Sequence, residues 1–368
     1  MRAGRENTEI SMSTVDRYGT LFPTAVVGSM PRPDFVRELV TGGRAEDGSR
    51  RGELMDRAVA YIASLQEQAG IDVISDGEWR RASYIGVIAE LAHGFTLGEE
   101  DGRPWTIVTD RLAPKNPGFI AAEVRYLKGV TGRQIKATLP APALLGERMW
   151  DRDKSASAYP TRRAFVEACV PVLRQELRLL RDEGVDVVQI DDPHLCLLVD
   201  DRVRAGYEDP DAEAAFSAEM TNAVVDGIEG VQLAVHLCRR AGARVRGEAK
   251  HTGGYDPIIR YLNALQVHHL TMEFTAPGAG DTEVFSMLRE DFEIGLGCLG
   301  VHPGEVDSAD EIVARVERAL RYVAPERLVL NPDCGFAPGS AARVDVDEVY
   351  TKLQNMVEAA RRLREKYA

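Results

Sequence analysis

Cysteine is scarce in this chain, and what there is does not come in pairs. The five are Cys169, Cys196, Cys238, Cys298 and Cys334. An odd and widely spaced set argues against a disulfide framework. Metal binding, or burial as small hydrophobes, are the readings left. Long apolar runs are also lacking, so no segment is suited to span a membrane. Residues 1–17 are polar and charged, without the apolar centre of a signal peptide. A cytoplasmic protein with no membrane partner is the expectation. Basic charge is in the minority, with 45 Lys and Arg against 58 Asp and Glu, a net of −13. No basic stripe with interleaved aromatics appears, which argues against a nucleic-acid partner. The acidic residues are spread along the chain and speak to solubility. Internal repeats, low-complexity tracts and clear linkers are missing as well.

What is there is an alternating pattern. The 368 residues, 44% hydrophobic and 28% charged, suffice for a large core. Eight short runs of strand character fall at 25–28, 72–75, 135–139, 186–190, 232–236, 269–273, 292–296 and 328–331. Helical periodicity occupies 51–69, 161–183, 211–229, 309–323 and 346–366, with Gly184 and Gly230 where helix stops belong. Eight strand–helix alternations predict an α/β fold, a (β/α)₈ TIM barrel. Residues 94–133 form a long insertion between strands 2 and 3, with two alternating runs that suggest a hairpin. The expected organisation is an N-terminal extension over 1–20 and a single catalytic barrel over 21–368.

In such a barrel the chemistry gathers at the C-terminal strand ends. Those ends carry Ser29, then Asp76-Gly77-Glu78-Trp79-Arg80-Arg81, then Asp191-Asp192-Pro193-His194. His236-Leu237-Cys238, Glu273, His302 and Asn331-Pro332-Asp333-Cys334-Gly335 follow. At a strand end residues i and i+2 point to one side, so His236 and Cys238 can reach one metal ion. Glu273 and Cys334, from other strand ends, can complete four-coordination, and this N, S and O donor set suits Zn²⁺. Thiolate-rich coordination suits a zinc that binds a substrate thiol and keeps its sulfur nucleophilic. Burial remains the plainer reading for a strand cysteine taken alone.

Several residues are given lesser roles. Cys169 reads as helix core, Cys196 as a loop residue near the site, and Cys298 as packing. His268 and His269 open a strand and read as exposed or structural. His251 can lie above the metal, in the loop after the fifth strand. Arg80 and Arg81 either bind an acidic substrate group through bidentate contacts or form a solvated surface pair.

The ordered segments together resemble the catalytic barrel of cobalamin-independent methionine synthase. They are Val27-Gly28-Ser29-Met30-Pro31, Asp76-Gly77-Glu78, Lys136-Ala137-Thr138-Leu139 and Val188-Gln189-Ile190-Asp191-Asp192-Pro193. His236-Leu237-Cys238, Thr271-Met272-Glu273, Val301-His302 and the run from Arg327 to Gly335 complete them. The resemblance covers nearly the whole chain. It implies zinc ligands at His236, Cys238, Glu273 and Cys334. It implies that Ser29, Glu78 and Asp191 hold the amino-acid substrate, the carboxylates facing its ammonium. It also implies that His302 helps protonate the leaving group.

There are departures from the family pattern. The synthase's second, N-terminal barrel is not part of this sequence. The family's Asp-Glu-Pro reads Asp191-Asp192-Pro193, and Pro140-Ala141-Pro142 stands where the synthase has a different loop near its folate. Arg239-Arg240-Ala241 lacks the aromatic that usually follows the cysteine. These changes spare the metal ligands and bear on the donor side.

The expected activity is zinc-dependent transfer of a methyl or alkyl group to a small thiol, with homocysteine methylation as its specific form. Zinc-dependent opening of an epoxide by a thiol, as in epoxyalkane:coenzyme M transferases, is the first alternative. A metal-free decarboxylase-like barrel and a non-catalytic zinc-binding protein are the others. The partners implied are a homocysteine-like thiol and a methyl or alkyl donor, whether a folate, a corrinoid, an epoxide or another.

Overall fold

Among the described residues seven parallel strands form one curled sheet in the spatial order β1-β4-β5-β6-β7-β8-β9. They are β1 Val73–Ile74, β4 Gln134–Pro140, β5 Val187–Asp191, β6 Gln232–Leu237, β7 His269–Glu273, β8 Glu293–Leu299 and β9 Leu328–Pro332. The computed structural model describes residues 13–41, 48–100, 103–240, 251–276, 278–337 and 345–368. Residues 1–12 of the expected extension, and Ala241, lie outside them.

The eighth strand is the reduced one. Thr24 bridges Leu330 of β9 and Ala25 bridges Val73 of β1, both in parallel sense. Ala25 N–H donates to Leu330 O at 2.8 Å, and Val26 N–H to Val73 O at 3.2 Å. The sheet thus closes on itself as the expected (β/α)₈ barrel, although residues 25–28 do not form a full strand. Pro23 has no N–H to extend the ladder on one side. On the other, the chain turns into the mouth, where Met30 N–H donates to Gly77 O.

Alternation along each strand sorts the side chains. Val188 and Ile190 of β5 face the helices, in the large core between sheet and helical shell. Gln189 and Asp191 face inward and are buried. A smaller apolar layer inside the barrel joins Ala25, Val73, Val187, Ala234 and Val329, with Tyr18 packed against it. That tyrosine belongs to the helix Thr14–Tyr18, whose N-terminus carries a capping box from Ser13 and Asp16. Its hydroxyl lies 2.6 Å from Gln232 Oε1 and 3.0 Å from Glu293 Oε1. Residues 13–20 therefore dock against the barrel interior instead of extending loosely.

The insertion is a hairpin followed by a helix that periodicity had not marked. Strand β2 (Ala92–Glu100) pairs antiparallel with β3 (Arg103–Pro114), and helix Phe119–Lys128 follows. The register slips between His93 and Phe95. Gly94 occupies that slip at φ +111°, and a Cβ there would stand 2.8 Å from Asp110 O and 2.9 Å from Arg111 O. Only glycine fits such a bulge.

Candidate metal centre

Parallel pairing places Asp191 of β5 directly beside His236 of β6. Both residues face the barrel mouth, and the His236 imidazole stands 3.0 Å from Asp191 Oδ1 through Nδ1. Two residues on, Cys238 leaves β6 on the same side. Cys334 arrives from the loop after β9, its Sγ 3.7 Å from that of Cys238. One ligand atom from each of His236, Cys238 and Cys334 lies within 4.8 Å of the other two, and all three residues are buried. The two sulfurs stand too far apart to form a disulfide with each other.

The electrostatics suit a cation. Contact with the Cys334 thiol, and then burial, push the Cys238 thiol well above its ordinary range. Burial opposes charge on His236, but the hydrogen bond and the charge of Asp191 outweigh it and raise the imidazole. Its second nitrogen, Nε2, is buried and has no hydrogen-bond partner. A proton on Nδ1, given to Asp191, leaves the Nε2 lone pair for a metal. One imidazole nitrogen and two sulfurs fit a zinc-type ion, and His236, Cys238 and Cys334 would hold it.

Glu273, the fourth expected ligand, ends β7 and is fully buried. It lies outside the group of three. Its Oε2 accepts from the backbone N–H of Arg239 at 2.6 Å, immediately after Cys238. Asp333, beside Cys334, accepts from the N–H groups of Phe274 and Thr275 and so ties the β9 loop to the end of β7. Burial and the neighbouring Glu273 push Asp333 up to about 7. Ser29 packs the Cys334 loop from the other side. Its Oγ accepts from Ala337 N–H and its carbonyl from Phe336 N–H. A Cβ on Gly335 would stand 2.2 Å from that Oγ, so this approach requires glycine.

Glu78 adopts φ +57°, in the left-handed region, on the tight loop after β1. Asp76 Oδ1 braces that loop by accepting from Glu78 N–H at 2.9 Å. The Glu78 carboxylate accepts from Thr138 Oγ1 at 2.7 Å. Burial raises it, Arg81 pulls it back, and Asp191 raises it further, which places the two acids in one electrostatic neighbourhood.

The remaining candidates lie apart from this group or are already engaged. Arg81 is buried and bonds Glu123 of the insertion helix and Thr138. Arg80 pairs with Asp56 and stacks over Tyr126. Neither guanidinium is the solvated surface pair that one reading expected, and neither is idle for a substrate anion. The His302 side chain is 50% exposed and faces Glu305 at 3.7 Å. His251 sits 3.4 Å from Asp200. Cys169 is buried in helix Arg162–Asp182, and Cys298 lies in β8 within 3.7 Å of Asn331 O. Cys196, expected in a loop, is buried in the short helix Pro193–Leu197 near Arg239, Glu273 and Tyr255. His268 accepts from Leu233 N–H, and His269 is buried between Glu293 and Thr271.

Two residues near the group have no role assigned from the sequence, although Lys136 opens one of the matched segments. Tyr84 follows the Glu78 loop, and burial, with the charges of Cys238 and Asp191, raises its phenol. Lys136, on β4, is buried with its ammonium on Val26 O, and burial lowers it to about 8 against the pull of Asp191 and Glu293. No helix among the described residues is long and apolar enough to cross a membrane.

Known proteins are similar to this chain over most of its length. A methionine synthase of Sulfolobus acidocaldarius is 28% identical over 327 residues, covering 86% of each chain. That of Pyrococcus abyssi is 27% identical over 358 residues, covering 94% of this chain and 93% of its own. The solved structure of a B12-independent methionine synthase from Shewanella, in complex with selenomethionine, superposes with a TM-score of 0.78. It is 20% identical and covers 94% of this chain and 99% of its own, a likeness of fold. The family model for the cobalamin-independent synthase catalytic domain matches residues 22–362, and the chain belongs to that family.

Proposed function

We propose that this chain methylates the sulfur of homocysteine to give methionine, with zinc held by His236, Cys238, Cys334 and Glu273. The observation that carries the proposal is the buried convergence of His236, Cys238 and Cys334 within 4.8 Å, together with the unpartnered Nε2 of His236. The methionine synthases it resembles support the acceptor.

A bound zinc ion would supply the Lewis acidity that keeps a substrate thiol deprotonated at neutral pH. The protein's own residues do the rest. Asp191 holds the His236 ring so that Nε2 faces the cysteines. Glu273 contributes its carboxylate from β7, already oriented by Arg239 N–H. Glu78 and Asp191 provide the negative pair that receives the substrate ammonium, and Thr138 fixes the rotamer of Glu78. Ser29 keeps the Cys334 loop against the mouth. His302 serves as proton donor to the departing group, a role that rests on the family match. Opening of an epoxide by a sulfonated thiol draws no support from Arg80 or Arg81, since both are engaged by carboxylates of the chain.

The test offers homocysteine with a methylated folate and with a methylated corrinoid, following methionine by mass. Methionine formed with either donor, lost on chelation and restored by zinc, is the expected result. A zinc-loaded enzyme that forms none with either donor and whose metal gains no sulfur from homocysteine would refute the acceptor assignment.

A further inference from the structure

Between the metal group and the apolar layer inside the barrel lie buried polar side chains, and one amide crosses among them. Gln189, on β5, is fully buried. Its Nε2 donates to Val27 O of the barrel-closing segment at 3.0 Å and to Asp191 Oδ1 at 2.8 Å. Its Oε1 accepts from Thr271 Oγ1 of β7 at 3.5 Å. The amide therefore touches three staves of the barrel. Its orientation follows from chemistry, since a carbonyl and a carboxylate demand the NH₂ group and only the hydroxyl can serve the oxygen.

The bonds then run in one direction. Asp191 Oδ1 accepts from Gln189 on one side and meets His236 Nδ1 on the other. Acting as acceptor to both, Asp191 Oδ1 leaves the proton on Nδ1 and the lone pair on Nε2. Ala234, the residue opposite Gln189 on β6, is small and leaves room for the crossing. We propose that Gln189 is a positioning residue for the metal centre: by pinning Asp191 Oδ1 from within the barrel, it fixes the His236 tautomer that presents Nε2 to the metal. This rests on the reading of His236 as a ligand, but the tautomer is measurable without metal.

The experiment labels the seven histidines with ¹⁵N and reads proton-bearing nitrogens by NMR in reduced, metal-free protein, at a pH high enough that the His236 ring carries one proton. Loss of a signal in His236→Gln assigns His236. The wild type should carry the proton on Nδ1. Gln189→Met keeps the length and volume but loses every hydrogen bond. It should bring the Nε2–H form up at least tenfold relative to the Nδ1–H form. Zinc affinity, measured by chelator competition, should fall about tenfold in the same variant, the low end for partners that orient metal ligands. If Gln189→Met does not fold, Thr271→Val, which removes the partner of the Gln189 oxygen and of His269 Nε2 but keeps both Gln189 donor bonds, should shift the tautomer the same way by less. A wild type with the proton on Nε2 would overturn the proposal, as would Gln189 and Thr271 variants with an unchanged tautomer. A wild type that shows the Nδ1 proton yet binds no zinc would overturn the metal reading and leave the tautomer result standing.

Discussion

Arg81→Met should destabilise the fold strongly, and Arg81→Met with Glu123→Leu should be far milder. The Arg81 guanidinium meets Glu123 Oε2 at 2.7 and 3.0 Å, and Thr138 O and Oγ1 at 3.0 and 2.9 Å. The two side chains are 2% and 4% exposed. Removing only the cation strands a buried carboxylate, which costs roughly 3–5 kcal/mol. Removing both replaces an ion pair by apolar volume, often within about 1–2 kcal/mol of the starting stability. Urea unfolding of the wild type, both single variants and the double closes the cycle. A coupling near zero, or an Arg81→Met loss below about 1 kcal/mol, would refute the reasoning. It would return Arg81 to the role of a free guanidinium waiting for a substrate anion.

Three further outcomes follow from the same structure. Burial opposes ionisation of Glu213, but hydrogen bonds from His194 and Arg162 outweigh it and hold the carboxyl down to about 2. A depressed acid stabilises above its unfolded pKa and ceases to as pH falls toward the folded one. Wild-type stability should therefore drop between about pH 4.5 and 2 more steeply than that of Glu213→Gln, measured by denaturant melts across pH. Gly94→Ala puts a Cβ against two carbonyls of β3 and should cost roughly 1–3 kcal/mol, read as faster amide exchange in the hairpin. Cys334→Ser should weaken zinc binding by roughly 100-fold or more, beyond the range for partners that merely orient ligands; an unchanged affinity in chelator competition would remove Cys334 from the ligand set.

The barrel was legible because its signals are local. β-Branched runs alternate with helical periodicity, and reactive side chains stand at the strand ends where chemistry belongs. His236 and Cys238 share a face by strand geometry alone, so their pairing could be read from spacing. The contribution of Cys334 needed the resemblance or the fold, because 96 residues separate it from Cys238. What sequence could not show are partners fixed by tertiary packing. Arg81 read as a substrate or surface residue because Glu123 sits 42 residues on, in a helix of the insertion. Residues 25–28 read as a full strand because apolar character does not reveal that the ladder stops after two bridges. The helix Thr14–Tyr18 read as extension because the acceptors of Tyr18 lie more than 200 residues away. His302 was taken from a two-residue match, and its half-exposed side chain stands outside the buried group. Gln189 lies inside one of the matched segments, but nothing in its identity signals that it crosses the barrel.

The most direct test of the central claim is the metal content of the purified, reduced protein, with zinc-edge X-ray absorption recorded before and after adding L-homocysteine. The account predicts about one zinc per chain from the His-Cys-Cys group found among the described residues, and one more sulfur scatterer when the thiol is present. Zinc-replete protein that retains no metal, with its cysteines reduced, would contradict it.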